Sequence, residues 1–92
     1  MRRFVVVDRS MHPALREGQG LLSVRSRRAR VGQLRVLEHP LRPGFWLVKR
    51  VSEVGPSGQM RVLSDDLSAT DVDSRDFGSV PIAGSYRVVA VV

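Results

Sequence analysis

Apolar side chains fall along this chain in short runs, several alternating with polar ones, and Gly, Pro and Ser break them apart. Phe4-Val5-Val6-Val7 is a largely β-branched run that ends at a polar stretch, and it predicts a strand. Pro13-Ala14-Leu15-Arg16-Glu17-Gly18 has Pro early and Gly as a stop, which predicts a single helical or 3₁₀ turn. Leu21-Leu22-Ser23-Val24 predicts a second strand, and Arg25 to Arg30 a polar, arginine-rich loop. Leu34-Arg35-Val36-Leu37-Glu38 alternates and predicts a third strand, stopped by His39-Pro40. Phe45 to Val54 is the longest strand pattern; the turn signal Gly55-Pro56-Ser57-Gly58 follows, and Gln59 to Leu63 returns as the hairpin partner. Ser64 to Ser79 is rich in Asp and Ser and predicts an ordered loop, and Tyr86 to Val92 an apolar closing strand.

Strands at short spacing with Gly/Pro turns imply an all-β fold: a small curled sheet, or partly open β-barrel, with one short helical turn. There is no internal repeat and no linker, so residues 1–92 read as one domain. The longest uninterrupted apolar run, Val88 to Val92, is far short of the roughly 20 residues needed to cross a bilayer. The run after Arg2-Arg3 is too short for a secretory signal. The expectation is therefore a soluble, unprocessed, cytoplasmic chain with no transmembrane segment.

Composition removes several chemistries. Cysteine is absent, which excludes a thiol nucleophile and a disulfide framework, and two histidines, His12 and His39, are too few for a His-rich metal cage. The expectation is no metal and no cofactor. The balance is basic, 15 Lys+Arg against 9 Asp+Glu for a net charge of +6, which permits an acidic partner without requiring one. Fourteen of those fifteen cations are arginine, so Lys49 is the only lysine and draws attention to its surroundings.

Two local features carry candidate chemistry. Ser10 sits just after a predicted strand and before a short turn, a junction that can project a hydroxyl from a sheet edge; a turn or N-cap serine explains the same pattern. His12, two residues on, is a possible general base, with no orienting carboxylate specified. In Phe45-Trp46-Leu47-Val48-Lys49-Arg50-Val51, alternation puts Leu47, Lys49 and Val51 on one face and Trp46, Val48 and Arg50 on the other. Lys49 is then either an edge lysine snorkelling to water or a desolvated amine able to take the Ser10 proton.

The same residues form a recognisable pattern. Ser10-Met11-His12-Pro13-Ala14-Leu15-Arg16-Glu17-Gly18 resembles the Ser-Met-x-Pro-Thr-Leu-x-x-Gly box of type I signal peptidases, and Lys49-Arg50-Val51 resembles their Lys-Arg-Val box. Ser64-Asp65-Asp66, followed by Asp73-Ser74-Arg75-Asp76-Phe77-Gly78-Ser79-Val80-Pro81, is similar to their Gly-Asp-Asn … Asp-Ser-Arg-x-x-Gly-x-Val-Pro box. Three boxes in order cover most of the chain from Val5 onward, and the size resembles most the soluble branch of nickel-type superoxide dismutase maturation proteases. The resemblance implies a signal-peptidase or LexA-like peptidase fold and a serine endopeptidase that removes an N-terminal extension from a precursor protein. Ser10 would be the nucleophile, its backbone N–H an oxyanion donor, and Lys49 the general base. Asp73, Ser74 and Arg75 would hold the last box against the site. Substrate would add as a strand against Val7, Met11, Leu47 and Val48.

The chain departs from that pattern in places. Asp8 stands where a hydroxyl donor or glycine is usual, Gly18-Gln19 replaces Gly-Asp, and Ser64-Asp65-Asp66 replaces Gly-Asp-Asn. The hydroxyl that contacts the lysine maps to Thr70, or is replaced by Asp71, whose charge would favour the protonated amine. Two other classes compete. A self-cleaving repressor domain shares the fold and dyad but needs a cleavable segment and a DNA-binding partner domain. A non-enzymatic basic module would bind nucleic acid through Arg25, Arg27, Arg28 and Arg30, yet lacks interleaved aromatics. The expectation is a protein substrate and no nucleic acid.

Overall fold

The computed structural model describes residues 1–7, 10–66, 68 and 72–92. Among the described residues, seven strands form one antiparallel sheet: β1 (Arg2–Val5), β2 (Gly20–Arg25), β3 (Leu34–Glu38), β4 (Trp46–Val54), β5 (Gln59–Leu63), β6 (Val80–Pro81) and β7 (Tyr86–Val91), with a single short helix, α1 (Ser74–Phe77). The spatial order is β1-β2-β7-β3-β4-β5-β6, and the sheet does not close, so the expected mainly-β class with an open, curled sheet is what the chain forms.

The strands β3 and β4 are the shared wall between two apolar clusters. Leu37, Leu47 and Val51 lie on one face and pack with Met60, Val62, Val80 and Ile82. Val36 lies on the other and packs with Val6, Met11, Leu15, Leu21 and Tyr86, edged by Phe4, Trp46 and Val48. A sheet covered on both faces needs apolar residues at odd and even positions, which is why Trp46-Leu47-Val48 does not alternate. Burying one such aliphatic side chain contributes roughly 1.5–3 kcal/mol, so the two clusters supply most of the driving force for folding.

Pairing of β4 with β5 contains one irregularity that matters below. Val54 faces Met60 and Glu53 faces Arg61, but Val51 then faces Val62 and Arg50 faces Leu63, so Ser52 is an extra residue on β4. The connecting turn ends at Gly58, whose φ of +75° suits a residue without a Cβ.

Local differences from the sequence pattern have identifiable causes. β1 starts at Arg2 rather than Phe4, because Arg2 pairs with Ser23 and the Ser23 hydroxyl donates to the Arg2 carbonyl at 2.9 Å. Pro13 to Gly18 makes turns, not a helix: Leu15 N–H reaches the Met11 carbonyl, but Gly18 N–H donates to the Val6 carbonyl instead of continuing the ladder. The one helix is α1, inside the stretch expected to be loop, where Asp73 caps it and the Asp76 carboxylate accepts from the Asp73 N–H in return. Val80-Pro81 adds a two-residue strand that pairs with Gln59 and Met60; proline, lacking an N–H, ends it. No helix of the described residues is long and apolar enough to cross a membrane.

Candidate active site

Lys49 is fully buried at the middle of β4, on the face it shares with Leu47 and Val51. Its Nζ donates a 2.9 Å hydrogen bond to the Ser64 Oγ, and Ser64 is itself buried. Extending the β4–β5 register one residue past Arg50 and Leu63 brings Ser64 opposite Lys49, on the same face of the sheet.

Ser64 is held by the capped helix. Its N–H donates to Asp73 Oδ2 at 2.9 Å, and the Val62 N–H donates to Ser74 Oγ at 2.8 Å. Because β6 pairs only with Gln59 and Met60, the side chains of Asp73 and Ser74 take over the acceptor role along the remainder of the β5 edge. Arg75 completes the clamp: its backbone N–H reaches Asp73 Oδ1 at 2.9 Å, and its guanidinium donates to both carboxylate oxygens at 3.0–3.2 Å. Burial pushes the Asp73 carboxyl up, but the hydrogen bonds from Arg75 and from the Ser64 N–H, together with the Arg75 charge, outweigh it and hold the group below the ordinary aspartate range.

The serine loop docks on the same segment. Ser10 is buried, and its carbonyl accepts the Asp66 N–H at 2.8 Å. The neighbouring Met11 is fully buried in the second apolar cluster, and its sulfur accepts the Asp65 N–H at 3.4 Å. From the other side, Arg50 forks onto Asp65, with Nε and Nη2 each 2.8 Å from a carboxylate oxygen, while its Nη1 donates to the Gly32 carbonyl at 2.8 Å. Hydrogen bonds to Asp65, outweighing partial burial, raise the Arg50 guanidinium above its ordinary value. Ser64, Asp65 and Asp66 thus carry the amine of Lys49 at one end and the Ser10 loop at the other. Two residues of chain span at most about 7 Å.

A cleft opens along the start of β4, lined by Phe4, Val5, Val7, Leu21, Val36, Trp46, Leu47 and Val48. It includes three of the four residues expected to face substrate: Val7, Leu47 and Val48. The fourth, Met11, is core, and supports the serine loop from beneath. The cleft lies between two strand edges. Among the described residues, Trp46–Val48 pair with β3 alone, since β5 joins only from Arg50, and β1 pairs with β2 alone.

His12 is exposed and lines a separate depression with Arg16, Glu17 and Asp66. Asp8, Thr70 and Asp71 lie outside the described residues. The residue that sequence reasoning missed is Ser64, noted only as a departure from glycine. Its signal was alternation: Met60, Val62 and Ser64 share a period of two, and the first two are core. Arg35 was also unremarked. It is fully buried opposite Lys49 in the β3–β4 ladder, and its guanidinium turns to Ser85 Oγ and to the carbonyls of Ser26 and Arg28, fixing the arginine-rich loop whose Arg27, Arg28 and Arg30 stay exposed. Burial, then the Arg87 charge, lower the Arg35 guanidinium from its usual value.

No protein-family model matches the chain, and comparison with characterised proteins gives no significant match.

Proposed function

We propose that the chain is a serine endopeptidase in which Ser10 is the nucleophile and Lys49 the general base. The observation that carries this reading is the single segment, Ser64 to Asp66, that receives the Lys49 amine at one end and the Ser10 carbonyl at the other. Lys49 is kept from water between Leu47 and Val51, and a lysine acts as a base through its uncharged amine. The Ser64 hydroxyl fixes where the amine points.

The reaction follows the general logic of acyl transfer. The uncharged amine of Lys49 takes the Ser10 hydroxyl proton as Oγ attacks the scissile carbonyl carbon. The oxyanion is met by the backbone N–H of Ser10. Collapse of the tetrahedral intermediate breaks the C–N bond, and the leaving amine takes the proton from Lys49. Water, activated by the same amine, then hydrolyses the acyl ester and regenerates Ser10. Asp73, Ser74 and Arg75 take no part in proton movement; they hold Ser64 in place.

An extended polypeptide fits the cleft, because edges of Trp46–Val48 and of β1 both offer backbone groups for strand addition. The substrate proposed is a precursor protein with an N-terminal extension, specifically a nickel-type superoxide dismutase precursor, processed in the cytoplasm. Incubating purified protein with that precursor and reading the new N-terminus by mass spectrometry tests the proposal. Processing should occur with the wild type and disappear with Ser10→Ala. Cleavage at an unchanged rate by Ser10→Ala would remove the dyad.

A further inference from the structure

The end of the cleft farthest from Lys49 is closed by aromatic rings. Phe4 and Trp46 stand 5.3 Å apart across it, and Tyr86 packs against both, with centroids 5.5 Å and 6.0 Å away. The Arg2 guanidinium stacks on this cluster, 4.8 Å from Phe4 and 4.6 Å from Trp46. The Arg25 guanidinium also lies over Tyr86, 5.3 Å from the ring centroid, and donates to its hydroxyl at 3.1 Å. Hydrogen bonds from Arg2 and then Arg25 to that hydroxyl, outweighing burial, hold it below the ordinary tyrosine value. Among the described residues the ion pairs are Arg50–Asp65, Arg61–Glu53 and Arg75–Asp73, so neither Arg2 nor Arg25 has a carboxylate partner.

Two guanidiniums therefore converge on the aromatic cluster whose Phe4 and Trp46 line the cleft, oriented by stacking and by one shared phenol, with no carboxylate partner among the described residues. Stacked arginine is pre-organised, so it loses little freedom on gripping a planar carboxylate with two parallel N–H donors. The register fixes the distance. Trp46 precedes Lys49 by three strand residues, about 10 Å at roughly 3.3 Å per residue. A peptide extended along the cleft, with its reacting bond at Ser10, brings the side chain three or four residues away up to Arg2 and Arg25.

We propose that Arg2 and Arg25 form an acid-selecting subsite, and that the cleft takes an extended polypeptide carrying Asp or Glu three or four residues from the bond that is cut. The position of the bond rests on the peptidase reading, whereas the preference for an acidic side chain does not.

The test separates the two. The full-length Ser10→Ala protein is immobilised and offered a positional-scanning library of acetylated, amidated decapeptides, and the bound fraction is sequenced by mass spectrometry. Asp and Glu should be enriched at one position, and a bound peptide remade with Lys there should bind about tenfold more weakly. Adding Arg2→Gln and Arg25→Gln should erase the preference, while adding Arg27→Gln and Arg28→Gln, which lowers the net charge equally, should keep it. No positional enrichment, no bound peptide, a preference that survives loss of Arg2 and Arg25, or one lost equally in the Arg27/Arg28 variant would each overturn the subsite. Acid preference in binding, without cleavage of those peptides by the wild type, would sink the peptidase reading and leave the subsite. Cleavage by the wild type without acid preference would do the reverse.

Discussion

Lys49 and Ser64 meet by a 2.9 Å hydrogen bond between two buried side chains, and that hydroxyl is tied to the rest of the fold through the Ser64 N–H on Asp73. Removing the hydroxyl takes one hydrogen bond from a buried amine, which costs about 1–3 kcal/mol. Ser64→Ala should lower the unfolding free energy measured in urea by that amount, and Ser64→Thr should restore most of it. On the peptidase reading, Ser64→Ala should also cut kcat by about tenfold to a hundredfold with little change in KM, because the base remains present but loses its aim.

Substitution of Lys49 divides charge from chemistry. Lys49→Met keeps an unbranched chain in the apolar pocket between Leu47 and Val51. It should fold, as judged by far-ultraviolet circular dichroism, yet process no precursor. Lys49→Arg keeps a cation but supplies no neutral amine at working pH, so it too should be inactive. Activity in either protein would show that another group acts as the base.

The Asp73 carboxylate gives the fold an acid limit. Its folded value is held below the ordinary aspartate value, 3.8. The charged form is therefore favoured in the folded chain. The stability it adds is complete above pH 3.8, shrinks below it, and is gone once the pH passes the folded value. Asp73→Asn removes both the charge and one of two acceptor oxygens, and should cost about 1–3 kcal/mol at pH 6. The gap between wild type and variant should narrow on titration toward pH 3, measured by urea midpoints. A gap that stays constant would mean the carboxylate is not the titrating contact.

Arg35 predicts a separate, local failure. Truncating a guanidinium that holds the Ser26 and Arg28 carbonyls and Ser85 Oγ strips those acceptors of their donor. Arg35→Met should destabilise the fold by about 1–3 kcal/mol. Limited trypsin digestion at Arg27, Arg28 and Arg30 should accelerate more than digestion at Arg16, because that loop loosens before the whole chain does.

Some of this was legible from the residues. Leu34–Glu38 and Gln59–Leu63 formed strands with the expected ends, and the Lys49 face carried Leu47 and Val51 as alternation required. Shorter elements were not legible. A two-residue strand carries no periodicity, so Val80-Pro81 passed unnoticed. The α1 helix is built on a cap rather than an apolar stripe: Asp73, Ser74 and Asp76 read as loop until the Ser64 and Val62 N–H groups are seen to need acceptors. Arg35 alternated correctly with Leu37, but nothing local announced that carbonyls from a loop several residues earlier would enclose it. Ser64 was hidden for a register reason. Counting back from the Val54–Met60 pair without interruption would set it across from Arg50, on the wrong face.

Ser52 is what corrects that count. Its presence advances one strand by a single step, so that Ser64 rather than Asp65 stands opposite Lys49 and sets a hydroxyl beneath the amine. A hairpin of the same residues paired without that interruption would keep every chemical group named above and yet misalign them. The chemistry of this hairpin is decided by frame as well as by composition.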